Sequence, residues 1–566
     1  MDDHDVGRRR PASGWLVAGV AAGALVAAGF AWLGLTLLGS DDPPEAAGAP
    51  RFVSEADVAG IEHVYDGEFS FFVGGGVAAF DCDADGFTDL FFAGGTNPAS
   101  LYRNDSTVGG ELAFTQVVDP AIDLLEVVGA YPLDIDGDHH IDLAVLRLGE
   151  NVLLRGMGDC RFERANEMWS FDGGSDWTAG FSAMWESPEA LPTLALGNYL
   201  VLDESGSQTG TCADNQLLRP DANGYGTVTA LSPGWCTLSI LFSDWDRSGR
   251  RDLRMANDRH YYIDGEEQLW RVAAGEAPRL YAHDEGWKQM QIWGMGIASQ
   301  DVTGDGLPEV FLTSQGDNKL QTLEDGSVGP SYTDIAIRRG VTAHRPFTGD
   351  EVLPSTAWHP EFQDVNNDGF VDLYISKGNV EAMVDYAADD PSNLLLGQPD
   401  GRFVEGASDA GIVNFTPGRG AAVVDLNLDG LLDIVEVNRR ENVEVWRNIG
   451  SGTAVAPASI GNWIGVRLSQ PGANVDAIGS WIEVRVGEGT VTRELTVGGG
   501  HASGQLGWVH FGLGEARHAD VRVQWPDGDT GPWLELDANT FATIERGLDA
   551  PLRWDPPTET APRQES

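Results

Sequence analysis

Six short acidic loops recur along this chain, and they constrain its fold more than any other feature. They begin at Asp81, Asp134, Asp244, Asp301, Asp364 and Asp425 and follow the form D-x-[DNTS]-x-[DS]-G-x-x-[DE], with His139 in the glycine position of the second. Successive starts are 53, 110, 57, 63 and 61 residues apart. The long interval hides a seventh copy, FSAMWESPEALPTLALGNYL, which keeps the flanking apolar runs but has lost its acids; Trp185 stands where the first Asp would be. Each loop joins two short apolar runs, such as residues 77–80 and 90–92, which read as buried strands rather than helices. A repeat of this period marks a propeller, solenoid or array. About four strands per copy and seven copies fit a closed ring, which shields its sheet edges. The predicted fold is all-β, with a seven-bladed β-propeller over residues 53–450.

The loop spacing predicts calcium. Positions 1, 3 and 5 turn side-chain oxygens inward around a tight turn, Gly at position 6 allows a positive φ, and position 9 closes the cage. Such a set of hard oxygens suits Ca²⁺ better than the smaller, octahedral Mg²⁺. The predicted ligands are Asp81, Asp83, Asp85 and Asp89; Asp134, Asp136, Asp138 and Asp142; and Asp244, Asp246, Ser248 and Asp252, the weakest set. The remaining sets are Asp301, Thr303, Asp305 and Glu309; Asp364, Asn366, Asp368 and Asp372; and Asp425, Asn427, Asp429 and Asp433. Asp, Asn and Gly also build ordinary turns, but six in register argue for six ions with a structural role. An EF-hand needs a Glu at position 12 and flanking helices. Five loops have Phe92, Val145, Met255, Leu312 and Ile375 there, and only the last has an acid, Glu436.

These repeats resemble FG-GAP/VCBS repeats, the blade unit of integrin-α-type propellers. Residues 455–548 alternate apolar and polar positions between Gly and Pro turns, as a small sandwich-like β domain would. Its elements Trp463-Ile-Gly-Val, Asn474 with Asp476-Ala-Ile-Gly479, His510-Phe-Gly-Leu-Gly514 and Trp525-Pro-Asp-Gly528 resemble an ASPIC/UnbV domain. Together the segments are similar to the cartilage acidic protein family and its bacterial relatives. That resemblance implies an extracellular calcium-binding protein and supplies no catalytic residues.

The N-terminus carries Arg8, Arg9 and Arg10, then an uncharged apolar run over residues 14–39, then Asp41, Asp42 and Glu45. The run is long enough to span a bilayer, and the flanking charges place residues 40 onward outside the cytoplasm. It reads as a transmembrane signal-anchor, with a cleaved signal peptide as the alternative; both export the body. Residues 40–52 read as a linker and residues 549–566 as a disordered tail. In an oxidising compartment the four cysteines can pair; Cys212 with Cys236, flanking a Gly/Asn/Thr-rich insert, is the best pair, and Cys82 with Cys160 the remainder.

A net charge of −51 with only three lysines excludes nucleic acid as a partner. H-E-x-x-H, G-x-S-x-G and P-loop motifs are absent. His501, after the triple glycine and near Ser503, reads as part of a surface turn. Two functions remain: an exported interaction module for a protein or glycan, its contacts on the third blade and the Cys212–Cys236 insert, or a metal-dependent hydrolase or lyase.

Overall fold

The computed structural model describes residues 46–203, 208–258, 265–342, 353–380, 383 and 386–557. The apolar run at residues 14–39 lies outside them. Among the described residues no helix is long and apolar enough to cross a membrane.

Residues 46–450 form antiparallel sheets built on one plan. Their first strands are Val77–Phe80, Val127–Leu133, Thr178–Met184, Thr237–Ser243, Gly294–Gln300, Ala357–Gln363 and Gly418–Val424. Almost every residue in these strands is buried, so they read as continuous apolar or small-residue runs rather than alternating ones. Each pairs with a second strand that begins at the ninth loop position: Asp89–Phe92, Asp142–Arg147, Asp252–Asn257, Glu309–Ser314, Asp372–Lys377 and Asp433–Asn438. In the acid-free copy that strand is Thr193–Asn198, and Trp185 is buried beside the turn. First strands of successive sheets pack on one another, and the last packs on the first.

The final sheet takes its outer strand from the other end of the chain: Arg51–Ser54 pairs antiparallel with Glu444–Gly450. The strand begins inside the stretch expected to be linker. It ties the N-terminal end of the ring to the C-terminal end, so the circuit cannot open without breaking a ladder.

Residues 462–554 form two four-stranded sheets. One holds Val509–Gly514, Asn462–Ser469, Thr540–Glu545 and Leu552–Trp554; the other holds Gly489–Glu494, Trp481–Val486, His518–Gln524 and Leu534–Asp537. Ile464, Val466, Ile482, Val484, Phe511 and Val521 fill the space between them. At about 25 cal/mol per Å² of apolar surface, such a core is the main force holding the sandwich together. The strand Leu552–Trp554 lies within the expected disordered tail. It pairs with Thr540–Glu545, and Trp554 packs tilted against Trp508 and edge-on to Phe541, with centroids 5.1 and 5.7 Å away.

The expected insert is also structural. Asn215–Leu218 and Val228–Leu231 are the outer two strands of the third sheet. Both cysteine pairs are disulfides. Cys82–Cys160 links the first two sheets, and Cys212–Cys236 links the third sheet's hairpin to the fourth sheet.

Candidate functional site

The six acidic loops share one backbone frame. Position 6 is left-handed in each: Gly86, His139, Gly249, Gly306, Gly369 and Gly430 have φ of 95°, 69°, 84°, 85°, 88° and 80°. Position 4 is left-handed too, at Ala84, Gly137, Arg247, Gly304, Asn367 and Leu428, which the loop pattern did not reveal. A non-glycine residue in this region costs on the order of 1–3 kcal/mol and persists where the surroundings demand it.

The demand comes from the acids. Position 1 accepts the N–H of position 6 in all six loops, at 2.8–2.9 Å. Position 5 accepts the N–H of position 7 wherever it is an acid. Position 9 reaches back to the N–H of position 2 at 2.7–2.9 Å, in every loop but that of Asp244. Asp89, Asp142, Asp372 and Asp433 also accept an N–H from the third strand of their sheets.

These bonds leave oxygens facing inward. Asp136 Oδ1, Asp244 Oδ1, Asn427 Oδ1 and Asp429 Oδ2 are buried without a hydrogen-bond partner. An uncompensated buried oxygen is costly, and a divalent cation is the partner this donor set fits. Carboxylate oxygens of Asp81, Asp83 and Asp85, and of Asp134, Asp136 and Asp142, lie within 4.8 Å of one another. Asp89 also lies near Cys82 and Cys160, but those sulfurs are joined to each other. In the other four loops the backbone frame is shared, but no three carboxylates converge this closely. Asn366 turns its amide toward Asp368, 3.1 Å away, and the Thr303 hydroxyl donates to Glu309.

Burial, opposed by the N–H groups of Gly156 and Ile135 and reinforced by Asp136 and Asp134, pushes the Asp142 carboxyl up to about 8. Burial likewise pushes Glu309 up to about 7 and Asp429 up to about 6, and Asp89, Asp364, Asp372, Asp425 and Asp433 well above the usual range. Nearby positive charge relieves such groups. Arg155 does part of this at the second loop, its Nε 2.6 Å from Asp136 while another nitrogen reaches Asp138.

The C-terminal sandwich sits on the loops. A Cβ at Gly430 would lie 1.8 Å from the Trp463 ring, and one at Gly86 would lie 2.3 Å from the Trp554 ring. His510 Nε2 is 2.6 Å from Asn367 Oδ1, and Arg467 reaches Asp81 at 3.5 Å. A segment of the sandwich also enters the ring. Val497–Gly498 pairs with the first strands of the third and fourth sheets, and Gly504–Leu506 runs parallel to that of the first. Single bridges join Ala130 to Ser503 and Ile297 to Gly500. His501, expected in a surface turn, is fully buried. Its Nε2 accepts from Gly74 N at 3.0 Å, and its own N–H donates to His359 Nδ1 at 3.1 Å. Its ring lies 4.9 Å from that of Trp358. Ser503 Oγ accepts from Val77 N, and neither His501 nor Ser503 faces solvent.

A ring of repeated antiparallel sheets with acidic inter-strand loops, capped and threaded by a β-sandwich, is the form of a β-repeat protein. The comparisons agree: residues 81–145 match the family model for the FG-GAP-like repeat, and residues 470–550 match that for ASPIC and UnbV. The chain thus contains an FG-GAP-like repeat and a C-terminal segment of the ASPIC and UnbV type. No curated protein matches its sequence. Solved structures similar to it include BBS1N in complex with ARL6DN (10% identity, 68% of this chain and 94% of that one, TM-score 0.37). The Dos1 propeller (9%, 72% and 97%, 0.32) and an Agrocybe aegerita lectin recognising terminal N-acetylglucosamine (15%, 68% and 79%, 0.28) are others. At these scores the likenesses bear on neither mechanism nor ligand.

Proposed function

We propose that this chain is an exported interaction module: a seven-bladed propeller whose acidic loops hold calcium, with the UnbV domain docked on the loop face. The observation that carries the reading is the common loop frame, in which backbone N–H groups hold the acids while inward oxygens are left for a cation. Calcium would be structural, relieving crowded carboxylates and fixing the surface under Trp463 and Trp554. The chain's own residues 497–506 pair with the ring's first strands, which favours contact with a partner over its outer surface. A protein or glycan would be that partner, and the third sheet with its outer strands Asn215–Leu218 and Val228–Leu231, between Cys212 and Cys236, would carry the contact. The apolar run at residues 14–39 would keep the module at a membrane, with its body outside the cytoplasm.

The test is thermal unfolding of the purified chain with calcium titrated against a chelator. At calcium about tenfold above Kd, each site adds roughly 1.4 kcal/mol, so several sites should raise Tm by many degrees. An unchanged Tm with no bound ion would remove calcium from the account.

A further inference from the structure

The loop of Asp244 departs from the frame of the other five. Asp252, at position 9, does not receive the N–H of position 2. Its Oδ2 instead accepts from the Trp245 indole Nε1 at 2.9 Å and the Tyr281 hydroxyl at 2.7 Å, while Oδ1 accepts from Val272 N at 3.1 Å. Arg250, at position 7, approaches the same carboxylate: its Nε is 3.1 Å from Oδ1 and 3.3 Å from Oδ2. Its terminal nitrogen lies 3.7 Å from Asp246 Oδ2. The four acceptor sites of Asp252 are thus taken, and a guanidinium spans two of the loop's three acids. Position 5 is Ser248, so the loop has no fourth acid to replace them. The other loops carry Phe87, His140, Leu307, Phe370 and Leu431 at position 7, none with a fixed charge; Arg155 reaches Asp136 and Asp138 of the second loop from the third strand, but that loop has a fourth acid and its position 9, Asp142, forms no ion pair with it. Asp244 Oδ1 still lacks a hydrogen-bond partner, but Asp252 is saturated and Asp246 faces Arg250, so no second free carboxylate closes a cage around it.

The two neighbouring arginines point away from the loop and into the UnbV domain. Arg247 lies 2.9 Å from Glu483 and 2.8 Å from Gln524, with its guanidinium 4.8 Å from the Trp481 ring centre. Arg251 donates to the carbonyls of Gly479 and Pro526. Glu494 of that domain accepts from Asp244 N and the Ser243 hydroxyl.

We propose that the loop from Asp244 to Asp252 takes no calcium: Arg250 is its built-in cation, and Arg247 and Arg251 make it an anchor for the UnbV domain that does not depend on the ion. This rests on the calcium reading of the other loops and corrects the expectation of six ions. Bound calcium is counted by equilibrium dialysis on the full chain, its Arg250→Leu variant (the residue type of Leu307 and Leu431) and its Asp252→Asn and Asp372→Asn variants. The wild type should hold one ion fewer than its six acidic loops, and Arg250→Leu should gain one. Asp252→Asn should leave the count unchanged, whereas Asp372→Asn should lower it by one. Should Arg250→Leu fail to fold, the contrast between the two Asp→Asn variants decides the matter alone. Six ions in the wild type, no gain in a folded Arg250→Leu, or an ion lost from Asp252→Asn would each overturn the inference and leave the calcium reading standing. No ion at any loop would overturn the calcium reading and this inference together.

Discussion

His501 shows how much a residue's surroundings decide. A histidine after three glycines looks exposed in the sequence, yet burial drives its pKa down to about 3. Burial does the same to His510, at about 3, and to His63, at about 4. Each folded value lies below the unfolded value near 6.5, so the unfolded chain binds the extra proton. The contribution of these neutral rings is complete above about pH 6.5 and is lost as pH falls toward 3 to 4, at up to about 1.4 kcal/mol per pH unit for each ring. Buried Glu436 and Glu494, both raised to about 7 by burial, act in the opposite sense, so the loss is read as a difference: in urea denaturation of the calcium-loaded protein, the stability gap between wild type and His501→Asn should shift against the wild type as pH falls from 7 to 5. Gly129 makes the complementary point. A Cβ there would lie 2.2 Å from the Ala502 carbonyl oxygen, so Gly129→Val should cost about 3 kcal/mol by overpacking. A cost below 1 kcal/mol by denaturant titration would mean that residues 497–506 do not lie in the ring.

At the scale of the element, each acidic loop is a hinge between two strands, and position 9 binds both ends of it. Asp433 accepts from Leu426 N and Asn448 N, so it closes its loop and joins it to the third strand of the sheet. Asp433→Asn should remove one bound ion and destabilise the protein by about 2–3 kcal/mol, from one lost ion and one weakened charged hydrogen bond. An unchanged ion count would show that this loop, like that of Asp244, holds none. Loop period and ligand spacing were legible because they are local: nine consecutive residues contain the turn, the acids and the glycine. The left-handed residues at position 4 were not, because Ala84, Arg247 and Leu428 belong to types that seldom adopt that conformation and do so here only under constraint. Nor was the hydrogen bond to the third strand, which joins residues 15 apart through pairing at the far end of the sheet.

At the scale of the whole molecule, two domains share one surface. The loops that would hold calcium also carry Trp463, Trp554 and His510 of the UnbV domain. Chelation should therefore loosen the docking and the ring together. With a chelator, protease cleavage within residues 495–507 should accelerate, and tryptophan fluorescence should shift to longer wavelength. Unaltered cleavage in a chelated, ion-free sample would separate the docking from the metal loops.

The sequence by itself determined that the chain is a β-repeat protein with six acidic loops, a seventh loop stripped of its acids, and a β-rich C-terminal domain, because strand period, turn chemistry and ligand spacing are written in neighbouring residues. It did not determine that residues 497–506 enter the ring, that Arg51–Ser54 completes the last sheet, or that residues 215–231 are sheet rather than insert. Nor did it determine that Arg250 turns into its own loop while Arg247 and Arg251 turn out of it. Those outcomes depend on contacts between residues far apart in the chain, where packing space and the pairing of buried charge decide which of several locally acceptable arrangements survives.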